Sequence, residues 1–394
     1  MRILFVGPLS GYTSYPVVCK GLLQALTSAG LEVDVADTSW DGSPDHTAPQ
    51  LLGDGRSISF LERKDVVKLV QQGESAGGDG DVCVVVNPTH HMMAIKDKGY
   101  KIAGMFVGDV DQIPGAWQAI MRQLDVVLTP SSWGMHVVSQ AELGCRVLVL
   151  NHGVSPLFRP GVIKIDDSPF VFLHTCSAIY FPERKGTPQA LAAFERLAKE
   201  RDDVVLRLIL GGRTRPLRKL LNSLDPVAKS KLQVEFREGA REPDEIRRAY
   251  LSCHAGLFPS RAEGMGMQPL EMRACGVPVV QTLCTGHADH LNGTIDQRTW
   301  ATGAANKNQA LCPDAHDPRE LGITVVPHGT MTEAWGKFGR APAVAADDVY
   351  AAMNECLEHY PELSAAAFEN AETIRSDWSW ESTTQPLVDW LNNL

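Results

Sequence analysis

Two glutamates with seven residues between them, Glu263 and Glu271, lie in the stretch 256–281 and are the first candidates for chemistry. Glu263 falls in a turn with Gly264 and Gly266, and Glu271 falls in the first turn of the helix that is expected to follow. A carboxylate repels a phosphate but accepts hydrogen bonds from the hydroxyls of a sugar or a ribose. The pair could therefore hold the two hydroxyl-bearing parts of a nucleoside diphosphate sugar; alternatively, Glu271 only complements the positive end of a helix.

The residues around the two glutamates predict a strand, a glycine turn, a short helix and a second strand. An apolar run ends at Pro259, Pro269 suits the first turn of a helix, and Gly276 can end that helix. A helix that starts behind glycines presents free backbone N–H groups and a partial positive charge. Such a helix start is a binding site for an anion, most often a phosphate.

This stretch resembles the carboxylate signature of retaining GT-B glycosyltransferases of family four, the glycosyltransferase group 1 type. The matching residues are Ser260, Arg261, Glu263, Gly264, Gly266, Pro269, Leu270, Glu271, Ala274, Cys275, Gly276, Pro278, Val279 and Val280. The resemblance implies that Glu263 holds hydroxyls of the donor sugar and that Glu271 holds the ribose of the nucleotide. The backbone amides implied to reach the sugar and the diphosphate are those of Gly264, Met265, Gly266 and Met267.

The same resemblance implies an α/β chain with the GT-B fold: two Rossmann-like domains that face each other across a cleft, with a C-terminal helix that crosses back to the first domain. A length of 394 residues suits two domains. Residues 1–155 would form the acceptor-side domain, 156–375 the nucleotide-sugar donor domain and 376–394 the returning helix. Residues 291–345 depart from the family pattern, and we expect an acceptor-side loop or a family-specific embellishment there.

A second phosphate site is predicted at Lys185, just before a helix that Thr187 is expected to cap. The alternative is a solvated lysine at a helix end. In the family that this region resembles, the matching lysine holds the donor diphosphate, and a basic residue usually stands five positions before it. That position is Tyr180 here, so Arg184 or Arg213 is expected to supply the second positive charge.

Two further groups of candidates lie in the first half of the chain. Gly7 and Gly11 belong to a loop after the predicted first strand, which could contact the donor phosphate or form a plain tight turn; its spacing is not that of a dinucleotide fingerprint. Asp109, and as second choice Asp111, follows another strand, at the place where family members carry a histidine or an acid near the reacting carbon of the sugar. The alternative for Asp109 is an acid in a turn.

The composition is that of an ordinary folded protein, with 44% hydrophobic and 21% charged residues. A net charge of −10 argues against broad nucleic-acid coating, although residues 201–248 carry 12 basic against 8 acidic side chains. Nine cysteines without a CxxC pair indicate reduced thiols and no zinc site. No run approaches about 18 apolar residues and the N-terminus lacks a signal-peptide core, so we expect a cytoplasmic protein without a membrane span.

The sequence therefore predicts a metal-independent, retaining transfer of a sugar from a UDP- or GDP-linked donor to an unidentified acceptor. Asp109, Glu263 and Lys185 would be the catalytic residues, and no cofactor is expected. Three other functions stay open: binding of a nucleotide sugar without catalysis, epimerisation of the sugar, and transfer to a modified nucleic-acid base, although nucleic acid is not the favoured partner. A two-carboxylate hydrolase is disfavoured, since neither glutamate has an evident reason to be protonated.

Overall fold

The structure is a computed structural model that describes residues 3–9, 14–37, 58–60, 81–86, 99–161, 169–177, 182–211, 215–237, 242–291, 317–334 and 339–394. The chain divides into two compact units. The first comprises Met1–Gly108, Ile113–Gly153 and Asp377–Leu394, and the second comprises Asp109–Gln112 and Val154–Ser376. The second unit is continuous in sequence except for the short segment Asp109–Gln112.

The first unit is built on a seven-stranded parallel sheet. Its strands are β1 (Ile3–Gly7), β2 (Val33–Asp37), β3 (Ile58–Phe60), β4 (Val82–Val86), β5 (Lys101–Met105), β6 (Val126–Thr129) and β7 (Arg146–Val149), in the order β3-β2-β1-β4-β5-β6-β7. The helices α1 (Tyr15–Ser28), α2 (Gly115–Met121) and α3 (Ser132–Ser139) alternate with the strands. The central strands β1 and β4 are apolar and wholly buried, as expected where helices cover both faces of a parallel sheet.

The second unit contains a six-stranded parallel sheet with the order β10-β9-β8-β11-β12-β13. These strands are β8 (Phe170–Ser177), β9 (Val204–Gly211), β10 (Leu232–Arg237), β11 (Ala255–Phe258), β12 (Val279–Thr282) and β13 (Ile323–Val326), and an antiparallel hairpin follows with β14 (Met331–Glu333) and β15 (Arg340–Pro342). The helices are α4 (Thr187–Glu200), α5 (Arg215–Ser223), α6 (Pro226–Ser230), α7 (Pro243–Leu251), α8 (Met267–Ala274), α9 (Ala346–Glu358) and α10 (Tyr360–Asp377). The apolar face of α4 lies in the core of this unit, where Leu191, Phe194 and Leu197 are all buried.

The last helix, α11 (Trp380–Asn392), belongs to the first unit and packs against α1. Ser379 caps it by accepting a hydrogen bond from the backbone N–H of Ser382 at 3.1 Å. The indole of Trp380 fills the space above Gly21 of α1, where a Cβ atom would come within 2.0 Å of the ring. The expected return of the C-terminal helix to the first unit is therefore confirmed, and it depends on a glycine that admits the tryptophan.

The glycine turn and short helix predicted around the two glutamates are also confirmed. The strand β11 ends at Phe258, α8 begins after Gly266 and ends at Ala274, and β12 follows. Gly276 has a φ of +75°, and its N–H donates to the carbonyl of Arg273 at 2.8 Å, which ends the helix. No helix among the residues that the structure describes is long and apolar enough to cross a membrane.

Candidate active site

The candidate site lies at the carboxyl edge of the sheet in the second unit. The strand order reverses there between β8 and β11, which are neighbours in space although α4, β9 and β10 separate them in sequence. Arg184 and Lys185 follow β8, and Glu263 follows β11. In open α/β sheets, ligands bind outside the carboxyl ends of the strands at such a reversal.

Glu263 is a buried carboxylate held between two cations. Its Oε1 lies 2.6 Å from Nζ of Lys185, its Oε2 lies 3.1 Å from Nη1 of Arg184, and the residue is 5% exposed. Its backbone is fixed as well, because its N–H donates to Oγ1 of Thr285 at 2.9 Å and its carbonyl accepts from the N–H of Gly286 at 2.9 Å. Burial alone would raise the pKa of Glu263, but the charges of Lys185 and Arg184 outweigh it and hold the pKa far below its ordinary value. Glu263 is therefore an ionised acceptor.

Asp109 is the second acid at this site. Its Oδ2 lies 3.4 Å from Nη1 of Arg184, and its carboxylate also accepts a hydrogen bond from the backbone N–H of Gly264. Burial raises the pKa of Asp109 and the nearby charge of Glu263 raises it further, while Arg184 and Lys185 lower it. Two cations and two acids thus meet within a few ångströms, and the site has no net charge when all four are ionised.

The start of α8 borders this group of charges. Gly266 precedes the helix with a φ of +77°, and a Cβ atom there would come within 2.1 Å of the His287 ring. That ring is fixed by a hydrogen bond of 3.1 Å from Nδ1 to the carbonyl of Thr282, and burial lowers the pKa of His287 to about 4, so the imidazole is neutral. Only glycine satisfies both the left-handed backbone and the close approach of the ring at this position.

Glu271 is buried on α8, away from the cations that hold Glu263. The hydroxyl of Tyr250 donates to its Oε2 at 2.8 Å. Burial raises the pKa of Glu271 to about 7, although the tyrosine hydrogen bond works in the opposite direction. The expectation that neither glutamate has a reason to be protonated is therefore wrong for Glu271, because burial without a cationic partner favours the neutral acid.

The start of α4 differs from the expectation in one detail. Thr187 does not cap the helix: Gly186 occupies the capping position with a φ of +66°, and Thr187 is the first helical residue. The threonine hydroxyl instead lies 2.9 Å from Nε2 of His174, whose Nδ1 donates to the carbonyl of Leu257 at 2.7 Å. Burial lowers the pKa of His174 to about 4, so this histidine is neutral and Nε2 accepts from the threonine. The contact ties α4 to β8 and β11, two residues after Lys185 in the chain.

A comparison with protein families identifies the segment that carries this site. Residues 169–320 match the model of the family described as "Glycosyl transferases group 1". This segment is therefore similar to group 1 glycosyltransferases. It contains all of Arg184, Lys185, Glu263 and Glu271, and the suspected resemblance is thereby confirmed. A comparison with curated protein sequences gives no match.

Solved structures are similar to the chain over its whole length. Sucrose-phosphate synthase from Thermosynechococcus elongatus is similar with a TM-score of 0.68 and 14% identity, covering 100% of this chain and 98% of that one. HepE from Anabaena, solved in complex with UDP-glucose, has a TM-score of 0.63 and 15% identity over 100% of both chains. WaaG, a glycosyltransferase of lipopolysaccharide biosynthesis, has a TM-score of 0.63 and 13% identity over 99% of both. At such low identity these likenesses show the fold, which is GT-B.

The remaining residues that the sequence predicts as donor contacts lie apart from the cluster of Asp109, Arg184, Lys185 and Glu263, or outside the described residues. Gly7 ends β1 in the first unit, where a Cβ atom would come within 2.6 Å of Sγ of Cys19, so packing alone already requires a small residue. Gly11 and Arg213 lie outside the described residues, as does Tyr180. Met265 is buried within the turn, and Met267 is the first residue of α8. Among the described residues, no group of three or more His, Cys, Asp or Glu could hold a metal ion.

Sequence reasoning did not identify two of the residues that shape this site. Tyr250 and His174 each lie in a regular element and read as ordinary core positions in the sequence. The sequence predicted other roles for their partners, a ribose ligand for Glu271 and a helix cap for Thr187. Tyr250 and Glu271 are 21 positions apart in the sequence, and His174 and Thr187 are 13 apart. Neither spacing belongs to a local motif, so no sequence pattern of this chain predicts these pairs.

Proposed function

We propose that the protein is a retaining glycosyltransferase that moves a sugar from a UDP- or GDP-linked donor to an acceptor without a metal ion. The observation that carries the proposal is the buried Glu263 carboxylate between Lys185 and Arg184, at the strand-order reversal of the sheet. The family match over 169–320 and the UDP-glucose complex of the structurally similar HepE support a nucleotide sugar as the donor.

The donor diphosphate would bind where positive charge and free backbone N–H groups converge. Lys185 and Arg184 supply the charge, and the turn Gly264–Met267 supplies amides at the start of α8. Departure of the nucleoside diphosphate builds negative charge on its terminal phosphate, and prepositioned cations and amides stabilise that charge. The protein then fills the role that a divalent ion has in other transferases, which is the reason for proposing metal independence.

The two glutamates would bind the hydroxyl-bearing ends of the donor. Glu263 is ionised and directly beside the cations, so it is the acceptor for hydroxyls of the transferred sugar. Glu271, on the next turn of α8, is assigned to the ribose. With its pKa near 7, Glu271 can be ionised by a ribose that donates two hydrogen bonds, since hydrogen bonds to the charged form lower a pKa.

In this proposal the anomeric configuration is retained because the acceptor oxygen attacks the anomeric carbon from the face that the leaving group occupies. The bond between the anomeric carbon and the phosphate oxygen breaks, the acceptor oxygen forms the new bond on the same face, and its proton passes to the departing phosphate oxygen. Glu263 is ion-paired with two cations and is therefore a poor nucleophile, so no covalent sugar intermediate on it is invoked. Asp109 would face the reacting carbon.

The test is nucleotide release and glycoside formation from UDP- and GDP-sugars with a panel of sugar acceptors. Transfer should persist in excess EDTA, and the glycoside should keep the anomeric configuration of the donor by NMR. Lys185→Ala should lower the rate about 10²–10³-fold, by analogy with the loss of one preorganised oxyanion donor. Lys199→Ala is the matched control, because Lys199 lies on α4 with a side chain 49% exposed.

Each part of the proposal can fail separately. Loss of transfer with EDTA would contradict metal independence, and an inverted product would contradict retention. Equal rates for the two lysine variants would remove Lys185 from the site. Tight binding of a nucleotide sugar without product on any acceptor would favour the non-catalytic function instead.

A further inference from the structure

The hairpin β14–β15 lies within 291–345, the part of the chain that departs from the family pattern. Its strand β15 contacts the short segment Asp109–Gln112, which belongs to the same unit. Asp111 makes three bonds to Arg340 there. Its Oδ1 accepts from the backbone N–H of Arg340 at 2.6 Å, its Oδ2 accepts from Nε at 2.8 Å, and its own N–H donates to the Arg340 carbonyl at 3.3 Å.

The hairpin packs closely against the segment Asp109–Gln112. Gly339 has a φ of +129°, and a Cβ atom there would lie 2.9 Å from Oδ1 of Asp111 and 3.2 Å from the Val110 side chain. Val110 packs against a small buried group formed by Ala262, Ala334 and Ala341. The carboxylate of Asp111 is 13% exposed, whereas the Arg340 side chain is 61% exposed. The segment is therefore held mainly by the two bonds to the Arg340 backbone and by the close packing at Gly339, and less by the exposed ion pair.

The hairpin is also bonded to the glycine turn that carries Glu263. The guanidinium of Arg261 donates to the carbonyl of Pro342 at 2.9 Å and to Oγ1 of Thr332 at 2.8 Å. The backbone N–H of Arg261 donates to the carbonyl of Arg184 at 2.8 Å, and Arg184 contacts Asp109 at 3.4 Å. These contacts form a closed ring. Asp109 contacts Arg184, Arg184 is bonded to Arg261, Arg261 is bonded to the hairpin, and the hairpin is bonded to Asp111, two residues after Asp109.

We propose that the β14–β15 hairpin is a positioning element that holds Asp109 against Arg184 and the Gly264 amide, through Asp111. This inference rests on the proposed function, in which Asp109 faces the reacting sugar. A restraint is needed because Asp109 and Glu263 are like charges that share Arg184. Free movement of the segment would let Asp109 turn toward water and leave Arg184 with one acid fewer. The site would then bind a free nucleoside diphosphate more tightly and transfer sugar more slowly.

The test compares Asp111→Ala with Asp111→Asn, which have the same charge. The asparagine keeps an oxygen that can accept from the Arg340 N–H, and the alanine does not. By calorimetry, Asp111→Ala should bind UDP and GDP about 3–10-fold more tightly than the wild type does. The reason is that the released Asp109 no longer offsets the charge of Arg184. Asp111→Asn should stay near the wild-type affinity. Arg319→Ala, which removes an exposed arginine of the same unit, is the control and should change nothing.

Two further measurements separate positioning from general loosening. Asp109→Asn should show the same gain in affinity, and the double variant Asp109→Asn/Asp111→Ala should show no additional gain. Additive gains, or equal affinities of Asp111→Ala and Asp111→Asn, would overturn the proposal. Amide hydrogen exchange of residues 108–113 should quicken in Asp111→Ala with an unchanged melting temperature. This readout needs no nucleotide, so it decides whether the hairpin holds the segment even if UDP and GDP fail to bind and the proposed function falls.

Discussion

Replacement of Glu263 by glutamine should destabilise the protein in a way that a nucleotide reverses. At an effective dielectric constant of 20, the contacts of 2.6 Å and 3.1 Å correspond to about 6 and 5 kcal/mol of attraction, most of which offsets the desolvation of the three groups. Removing one member of a buried ion pair typically costs about 3–5 kcal/mol. Glutamine still offers an acceptor to Lys185, so we expect the lower end, about 3 kcal/mol, or roughly 6–12 °C in melting temperature.

The decisive measurement is the melting temperature of Glu263→Gln with and without UDP or GDP. The variant has an excess positive charge that a diphosphate can neutralise, so the nucleotide should stabilise it more than the wild type. The control is Glu200→Gln on α4, whose ion pair with Arg196 is about half exposed, and we expect a loss below about 1 kcal/mol there. A Glu263→Gln protein as stable as the wild type, or one that gains less from the nucleotide, would refute the assignment of this site to a diphosphate.

Two other predictions concern α8. Burial raises the pKa of Glu271 to about 7, so the proton that stabilises the folded protein is lost as the pH rises. Between pH 5 and 8, the wild-type free energy of unfolding in urea titrations should fall by about 2–3 kcal/mol relative to that of Glu271→Gln. Parallel pH profiles of the two proteins would contradict the raised pKa. Gly266→Ala should cost about 2–5 kcal/mol by the same assay, because the methyl group meets His287 in a left-handed backbone. Gly144→Ala, with a φ of +74° and nothing within 4 Å, should cost only the backbone part, about 1–2 kcal/mol, and an equal loss in both would show that the ring contact is immaterial.

The local structure around the two glutamates could be predicted because each signal acts over a few residues. Pro269 fixes the first turn of α8, and Gly276 ends it with a left-handed backbone, whatever the rest of the chain does. The same local reasoning misplaced the start of α4, since Thr187 had a stronger partner in the buried His174 than in the helix backbone. The capping prediction uses only the residue type and the chain position, and neither contains information about a hydrogen-bond partner on a strand.

The energetic state of the site could not be predicted from residue types. Glu263 and Glu271 are the same residue in the same motif, yet one has its pKa lowered by two cations and the other has its pKa raised by burial. The difference comes from Arg184 and Lys185, which lie 78 or more positions away in the sequence. Arg340 and Asp111 are 229 positions apart and belong to no motif. Long-range pairing of this kind follows from the completed sheet and from the hairpin, which no local pattern contains.

The same two cations must serve two charges in the proposed reaction. Without a ligand, Lys185 and Arg184 compensate the burial of Glu263; with the donor bound, they would compensate the diphosphate. Glu263 then needs other donors, and the hydroxyls of the transferred sugar are the groups that the donor brings to it. A nucleotide without a sugar neutralises the cations but leaves Glu263 buried and short of partners, at a cost of the order of 1–3 kcal/mol. The arrangement therefore favours the intact nucleotide sugar over the free nucleoside diphosphate, which is the direction that binding of substrate and release of product require.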